Sequence, residues 1–133
     1  MQALKKMLVI TRDHMLVNTL RDGLTSDGYI IVNTAESGKD LRYTIYYEQP
    51  DFIIQDIGMP SLGGICTCLE VRQFCQTPII LLTTWKTEEG MMRGLDLNAE
   101  NYLTEPFNIE ILKLRMRETM KRNMLASARG PRQ

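Results

Sequence analysis

The feature that most limits what this chain can fold into is a regular alternation of short, continuous apolar runs with segments of helical periodicity. Apolar runs stand at 6–11, 29–33, 52–54, 79–82 and 102–104. Between the first two, Leu16, Leu20 and Leu24 recur every four residues, as one face of a helix does, and Gly28 stops that helix. Ser37 and Asp40 have the spacing of a capping box and open a second helix with Leu41 and Ile45 on its inner face, closed by Pro50. Further helices are predicted over 65–76, 86–97 and 108–122. Strands that are apolar throughout, rather than alternating, are covered on both faces. Five strand–helix pairs of this kind predict an α/β fold, a doubly wound five-stranded parallel sheet with five helices.

At 133 residues, 44% of them apolar, the chain is one domain's worth of sequence and can bury a core without disulfides or a structural metal. The longest apolar stretches, 7–10 and 79–82, are far below the roughly 20 residues of a membrane span. Lys5 and Lys6 precede a run too short for a signal peptide, so a cytoplasmic location and no membrane contact are expected. Cys66, Cys68 and Cys75 form neither a CxxC pair nor a cluster with the single histidine, His14, which speaks against structural zinc, a disulfide framework and a catalytic triad. The nine methionines, Met116 and Met120 among them, fall at helical spacings and read as adaptable core packing.

A net charge of zero conceals an asymmetry. Residues 1–112 hold nine basic and fifteen acidic side chains; residues 113–133 hold seven basic ones and only Glu118 on the acidic side. Cations in a last helix complement its dipole, and no helix-turn-helix or other reading motif follows, so this domain alone is not expected to bind nucleic acid. Gly130 and Pro131 break helix in the basic tail. The expected division is a domain over 1–124 and a basic tail or the start of an interdomain linker over 125–133, as in an excised domain.

On doubly wound sheets, ligands bind beyond the carboxyl ends of the strands. The residues there are Thr11, Arg12 and Asp13 after the first strand, Asp56 after the third, Thr83 and Thr84 after the fourth, and Glu105 and Pro106 after the fifth. The segment 11–16 contains no glycine, which excludes a phosphate-binding loop of the flavodoxin, Rossmann or P-loop kind. No serine or cysteine sits on a nucleophile elbow.

The segments PDFIIQDIGMPSLGG (50–64), PIILLTT (78–84) and NAENYLTEPF (98–107) resemble the receiver domain of bacterial response regulators, and the resemblance extends over nearly the whole chain. It implies the flavodoxin-like receiver fold and a non-enzymatic role in two-component signal transduction. In that family two acidic residues after the first strand and an aspartate after the third hold magnesium. The aspartate takes a phosphoryl group from a histidine kinase, and a lysine before the proline after the fifth strand pairs with the phosphate. Carried over, Asp56 takes the phosphoacceptor position, Thr83 that of the switch hydroxyl and Tyr102 that of the switch aromatic, with Met59 and Pro60 in the family's turn.

Three of the five pocket groups depart from this pattern: Thr11 and Arg12 stand where the acidic pair should be, and Glu105 where the lysine should be. Arginine cannot ligate magnesium, which prefers carboxylate and phosphate oxygens in near-octahedral geometry. Glu105 beside a phosphate would be a like-charge contact of about 4 kcal/mol at ~4 Å and an effective dielectric of ~20. Neither a metal nor any other cofactor is therefore expected. The reading is an atypical, pseudo-receiver variant that acts by protein–protein contacts independently of phosphorylation, as the N-terminal part of a transcription regulator. Arg12 is expected to replace the lost cation by bridging Asp56 and Glu105. One alternative is a conventional receiver phosphorylated on Asp56, with Asp13 and Asp56 as magnesium ligands; another is a small-molecule-binding module on the same scaffold.

Resemblance to receivers of the winged-helix class adds an expected homodimer through the fourth helix, fifth strand and fifth helix, with Arg115 and Arg117 facing Glu89 and Glu100. Exposed pairs contribute about 0–1 kcal/mol each, so they would set register more than strength. A sensor kinase or a fused effector domain is the implied partner.

Overall fold

The computed structural model describes residues 5–56, 70–73, 75–83, 101–104 and 108–128, and the side chains of all of these except 83, 101–104 and 122–128. Five strands, β1 (Lys5–Ile10), β2 (Tyr29–Thr34), β3 (Phe52–Asp56), β4 (Ile79–Thr83) and β5 (Asn101–Thr104), form one sheet in the order β2-β1-β3-β4-β5. Every neighbouring pair is parallel. Helix α1 (His14–Leu24) joins β1 to β2, α2 (Gly38–Glu48) joins β2 to β3, and a C-terminal helix (Ile109–Ala128) follows β5.

The apolar runs of the inner strands β1, β3 and β4 are covered on both faces. Met7 and Val9 point to one side, into a core with Leu16, Leu20 and Leu24 of α1 and Leu112 and Met116 of the C-terminal helix. Leu8 and Ile10 point to the other, into a core with Leu41 and Ile45 of α2 and Val71. Phe52, Ile53 and Ile54 on β3 and Ile80, Leu81 and Leu82 on β4 are fully buried. Each such side chain contributes about 1.5–3 kcal/mol of burial, which is why runs of only three or four residues suffice to define strands.

The helix boundaries show where local chemistry refines the periodicity. Asp13 caps α1, its Oδ1 accepting from the backbone N–H of Met15 and Leu16. The helix ends at Leu24, short of Gly28, because Thr25–Asp27 tightens into a 3-10 turn; Gly28 then takes φ 89°, which favours glycine. At α2 the expected capping box does not form. Ser37 occupies the N-cap position but makes no side-chain capping bond. The start of the helix is instead held by Glu36, whose Oε1 accepts from the hydroxyls of Thr34 (2.8 Å) and Thr44. Of the third predicted helix, over 65–76, Glu70 to Gln73 are helical while Cys75 and Gln76, within its expected end, are not; the fourth, over 86–97, lies outside the described residues. The C-terminal helix runs to Ala128, six residues beyond its expected end at Arg122 and through the expected division at 124.

Helix α1 meets the C-terminal helix where Gly23 faces Ile109. A Cβ at position 23 would lie 2.5 Å from Ile109 Cγ1, and a β-branched side chain is stiff at χ1. Gly23→Ala should therefore destabilise the protein by about 1–3 kcal/mol in the wild-type background. In an Ile109→Ala background the clash is gone and the same change should be neutral or stabilising by up to about 1 kcal/mol. Urea denaturation of the four proteins measures this sign reversal.

The Thr44 and Thr34 hydroxyls hold the Glu36 carboxyl below its ordinary range, outweighing the slight upward effect of burial. A depressed carboxyl stabilises the fold above its unfolded pKa and loses that contribution as pH falls through its folded one. Carbon-detected NMR should give Glu36 a midpoint below that of a free glutamate. Thr44→Val should raise it, and the stability gap between the two proteins should close with acidification.

Candidate functional site

The site is set by the point where the strand order reverses. The chain leaves β1 for the edge strand β2 and returns to β3 on the other side of β1, so the carboxyl ends of β1 and β3 are adjacent and open to a crevice. In the register Ile10 pairs with Gln55, which puts the next residues, Thr11 and Asp56, side by side.

Thr11 is buried, 1% exposed, and its hydroxyl donates to Asp56 Oδ2 at 2.6 Å. The same oxygen accepts the Asp13 N–H at 3.0 Å, so the hydroxyl proton is free to face the carboxylate. The Thr11 backbone is fixed in turn by β2: its N–H donates to the Thr34 carbonyl at 2.9 Å, and its carbonyl accepts from Asn33 Nδ2 at 3.1 Å. Asn33 also donates to the Val9 carbonyl at 3.0 Å. Beneath Asp56, Gln55 is 1% exposed and its Nε2 lies 3.4 Å from the Asp56 carbonyl; its Oε1 has no hydrogen-bond partner among the described residues.

Sequence reasoning missed Asn33 and Gln55. The available signal was a carboxamide inside an otherwise apolar strand, where an unpaired polar group is expensive to bury and so marks a backbone or site that needs it.

Of the expected bridge, the contact between Arg12 and Asp56 is not formed. Arg12 is exposed, and among the described residues it makes no ion pair, with Asp56 or any other carboxylate. The physical reason is the short turn into α1: Thr11 points inward to Asp56, the following residue points out to solvent, and Asp13 turns back to cap the helix. Glu105, the other end of that bridge, lies outside the described residues, as do Thr84, Pro106, Glu89, Glu100, Met59 and Pro60. The backbone places Thr83 at the end of β4, paired with Thr104, and Tyr102 on β5, paired with Leu81. Arg115 and Arg117 lie on the C-terminal helix, and Arg117 lines a cavity with Lys5, Leu24 and Tyr29.

The description "Response regulator receiver domain" matches residues 7–117. The chain belongs to the response regulator receiver family. It is 36% identical over 112 residues to the transcriptional regulatory protein KdpE of Staphylococcus aureus, a match covering 84% of this chain and 48% of that protein. It is 32% identical over 123 residues to "Probable transcriptional regulator ycf27" of Guillardia theta, covering 92% of this chain and 48% of the relative. The chain thus spans about half the length of the curated relatives it matches. Among solved structures, the receiver domain of Francisella response regulator 1452 superposes with a TM-score of 0.77 at 29% identity, covering 90% of this chain and 98% of that one.

Receivers of this family use magnesium, and the donor set at this site does not fit it. At the carboxyl end of β1 the receiver presents a hydroxyl already bonded to Asp56, an outward arginine, and an aspartate whose Oδ1 is committed to two backbone N–H groups. Magnesium binds through carboxylate oxygens and waters, and no cluster of three His, Cys, Asp or Glu side chains that could hold a metal occurs among the described residues.

A hydroxyl–carboxylate bond of this length is charge-assisted. Thr11→Val keeps the shape and removes the donor, so it should destabilise the receiver by about 1.5–3 kcal/mol. In a double-mutant cycle with Asp56→Ala the coupling should be at least about 1 kcal/mol, read from chemical denaturation.

Proposed function

We propose that this chain is an atypical receiver that signals through protein contacts without being phosphorylated, as the N-terminal part of a transcription regulator in the cytoplasm. The observation that carries the reading is the Thr11–Asp56 hydrogen bond, formed at the position where the family places a carboxylate. Phosphoryl transfer depends on positioning and on neutralising charge on the transferred group by metal ions and cations. Here the first acidic position supplies a neutral donor to Asp56, the second supplies an exposed arginine, and the lysine position carries Glu105.

The curated relatives are transcriptional regulatory proteins about twice as long, which supports an effector domain fused beyond a receiver core over 1–124, with 125–133 leading into it. Five helices complete the fold, and the domain is non-enzymatic. A homodimer through the fourth helix, β5 and the C-terminal helix, with Arg115 and Arg117 opposite Glu89 and Glu100, would couple copies of that effector. Thr83 and Tyr102 keep the residue types of the family's switch, so a partner such as a sensor kinase or the effector itself would set the conformation that phosphate sets elsewhere.

Trp85 is the only tryptophan and reports on the loop after β4. Its fluorescence should show no saturable response to millimolar magnesium with beryllium fluoride in the wild-type protein. The triple variant Thr11→Asp, Arg12→Asp, Glu105→Lys should gain one, and adding Asp56→Asn should abolish it. A saturable wild-type response that Asp56→Asn removes, or an acyl phosphate on Asp56 in the intact mass after treatment with acetyl phosphate, would overturn the proposal.

A further inference from the structure

At the opposite end of the sheet from Asp56, a cavity of ≈ 510 Å³ opens between the start of β1, the start of β2 and the C-terminal helix. That volume is within the range of about 300–1,000 Å³ typical of small-molecule sites. Leu24, Met116 and Met120 give it an apolar floor, and Lys5, Tyr29, Lys113 and Arg117 bring donors to it.

The sheet register sets Lys5 directly beside Tyr29. Both side chains turn to the same atom: Lys5 Nζ lies 3.4 Å from Met120 Sδ, and the Tyr29 hydroxyl 3.7 Å from it. A thioether is a weak acceptor, yet here it receives an ammonium and a phenol together. Burial, with Asp27 and Asp51 nearby, pushes the Tyr29 hydroxyl above its ordinary pKa, so it stays a donor at neutral pH.

Among the charged groups lining the cavity, Lys5, Lys113 and Arg117 outnumber the single carboxylate, Asp27. Lys113 is paired with Asp27 at 3.2 Å and with Glu110 at 3.8 Å. Among the described residues, neither Lys5 nor Arg117 has a carboxylate within ion-pair distance. An ammonium and a protonated phenol converging on a sulfur, with Arg117 lining the same apolar-floored cavity, form a set of donors whose natural partner is an oxyanion.

We propose that this cavity binds an amphipathic oxyanion, its carboxylate or phosphate head held by Lys5, Arg117 and the Tyr29 hydroxyl in place of the Met120 sulfur, its apolar body lying on Leu24, Met116 and Met120. The inference does not rest on the signalling mode of Asp56. It gives Lys5 a role and would have Arg117 serve both this cavity and the proposed dimer face, linking a small anion to the C-terminal helix.

The two methionines provide the readout. In the full chain labelled with carbon-13 at methionine methyls, Met116 and Met120 are assigned by Met→Leu substitution. The protein is titrated with octanoate below its micellar concentration and, separately, with inorganic phosphate, against chloride at matched ionic strength. Octanoate should move both resonances saturably. Lys5→Gln and Arg117→Gln, both at exposed positions that leave the core intact, should each weaken binding about tenfold, the effect of losing one charged hydrogen bond. Lys39→Gln, on α2, should leave it unchanged. Absence of a saturable shift with octanoate, or equal affinity in the Lys5 and Arg117 variants, would overturn the proposal. Phosphate acting as strongly as octanoate would overturn the requirement for an apolar body.

Discussion

The constraint on which the rest of the structure depends is the pairing of β1 with β3. These two strands are buried on both faces and carry the sheet's central ladder, with Met7, Leu8, Val9 and Ile10 opposite Phe52, Ile53, Ile54 and Gln55. A one-residue slip would send every side chain to the wrong face and exchange the two cores, so the register is fixed by hydrophobic burial far more strongly than by any polar group. The same register brings Thr11 to Asp56. The site geometry is thus a by-product of core packing, and Thr11 and Arg12 follow β1 rather than form part of its apolar run.

The parallel sheet and the helices among the described residues were legible in the sequence because they rest on that burial. Runs such as IILL at 79–82 admit few alternatives once both faces must be covered, and Leu41 and Ile45 lie where the helical period puts them. What the periodicity did not resolve were contacts made by single polar side chains. Whether Ser37 or Glu36 secures the start of α2 depends on where Thr44 falls in three dimensions, nearly two turns into the helix and eight residues along the chain from Glu36. The end of the last helix was read too early: Met124, Leu125, Ala126 and Ala128 are good helix formers and carry it to Ala128.

The candidate site was legible by position and misread in its bonding. Its parts could be placed from the order of strand ends, and Thr11 and Asp56 do meet. Arg12 appealed as a substitute cation because charge complementarity can be counted in a sequence. Side-chain direction cannot, and in a tight strand-to-helix turn direction decides: the small hydroxyl turns in and the long cation turns out. Asn33, which steadies the Thr11 backbone from the neighbouring strand, acts through a contact of sequence separation twenty-two. No local pattern encodes that.

A metal in such a crevice is a soluble species, and its occupancy follows the free concentration around the protein and the competition of other ions. The Thr11 hydroxyl is tethered to the backbone one residue past β1, so the donor facing Asp56 Oδ2 is present at a fixed stoichiometry of one to one in every folded molecule. That contact depends on no dissolved species, only on the pairing of β1 with β3. The carboxylate that relatives leave waiting for a cation is, in this chain, part of the folded framework.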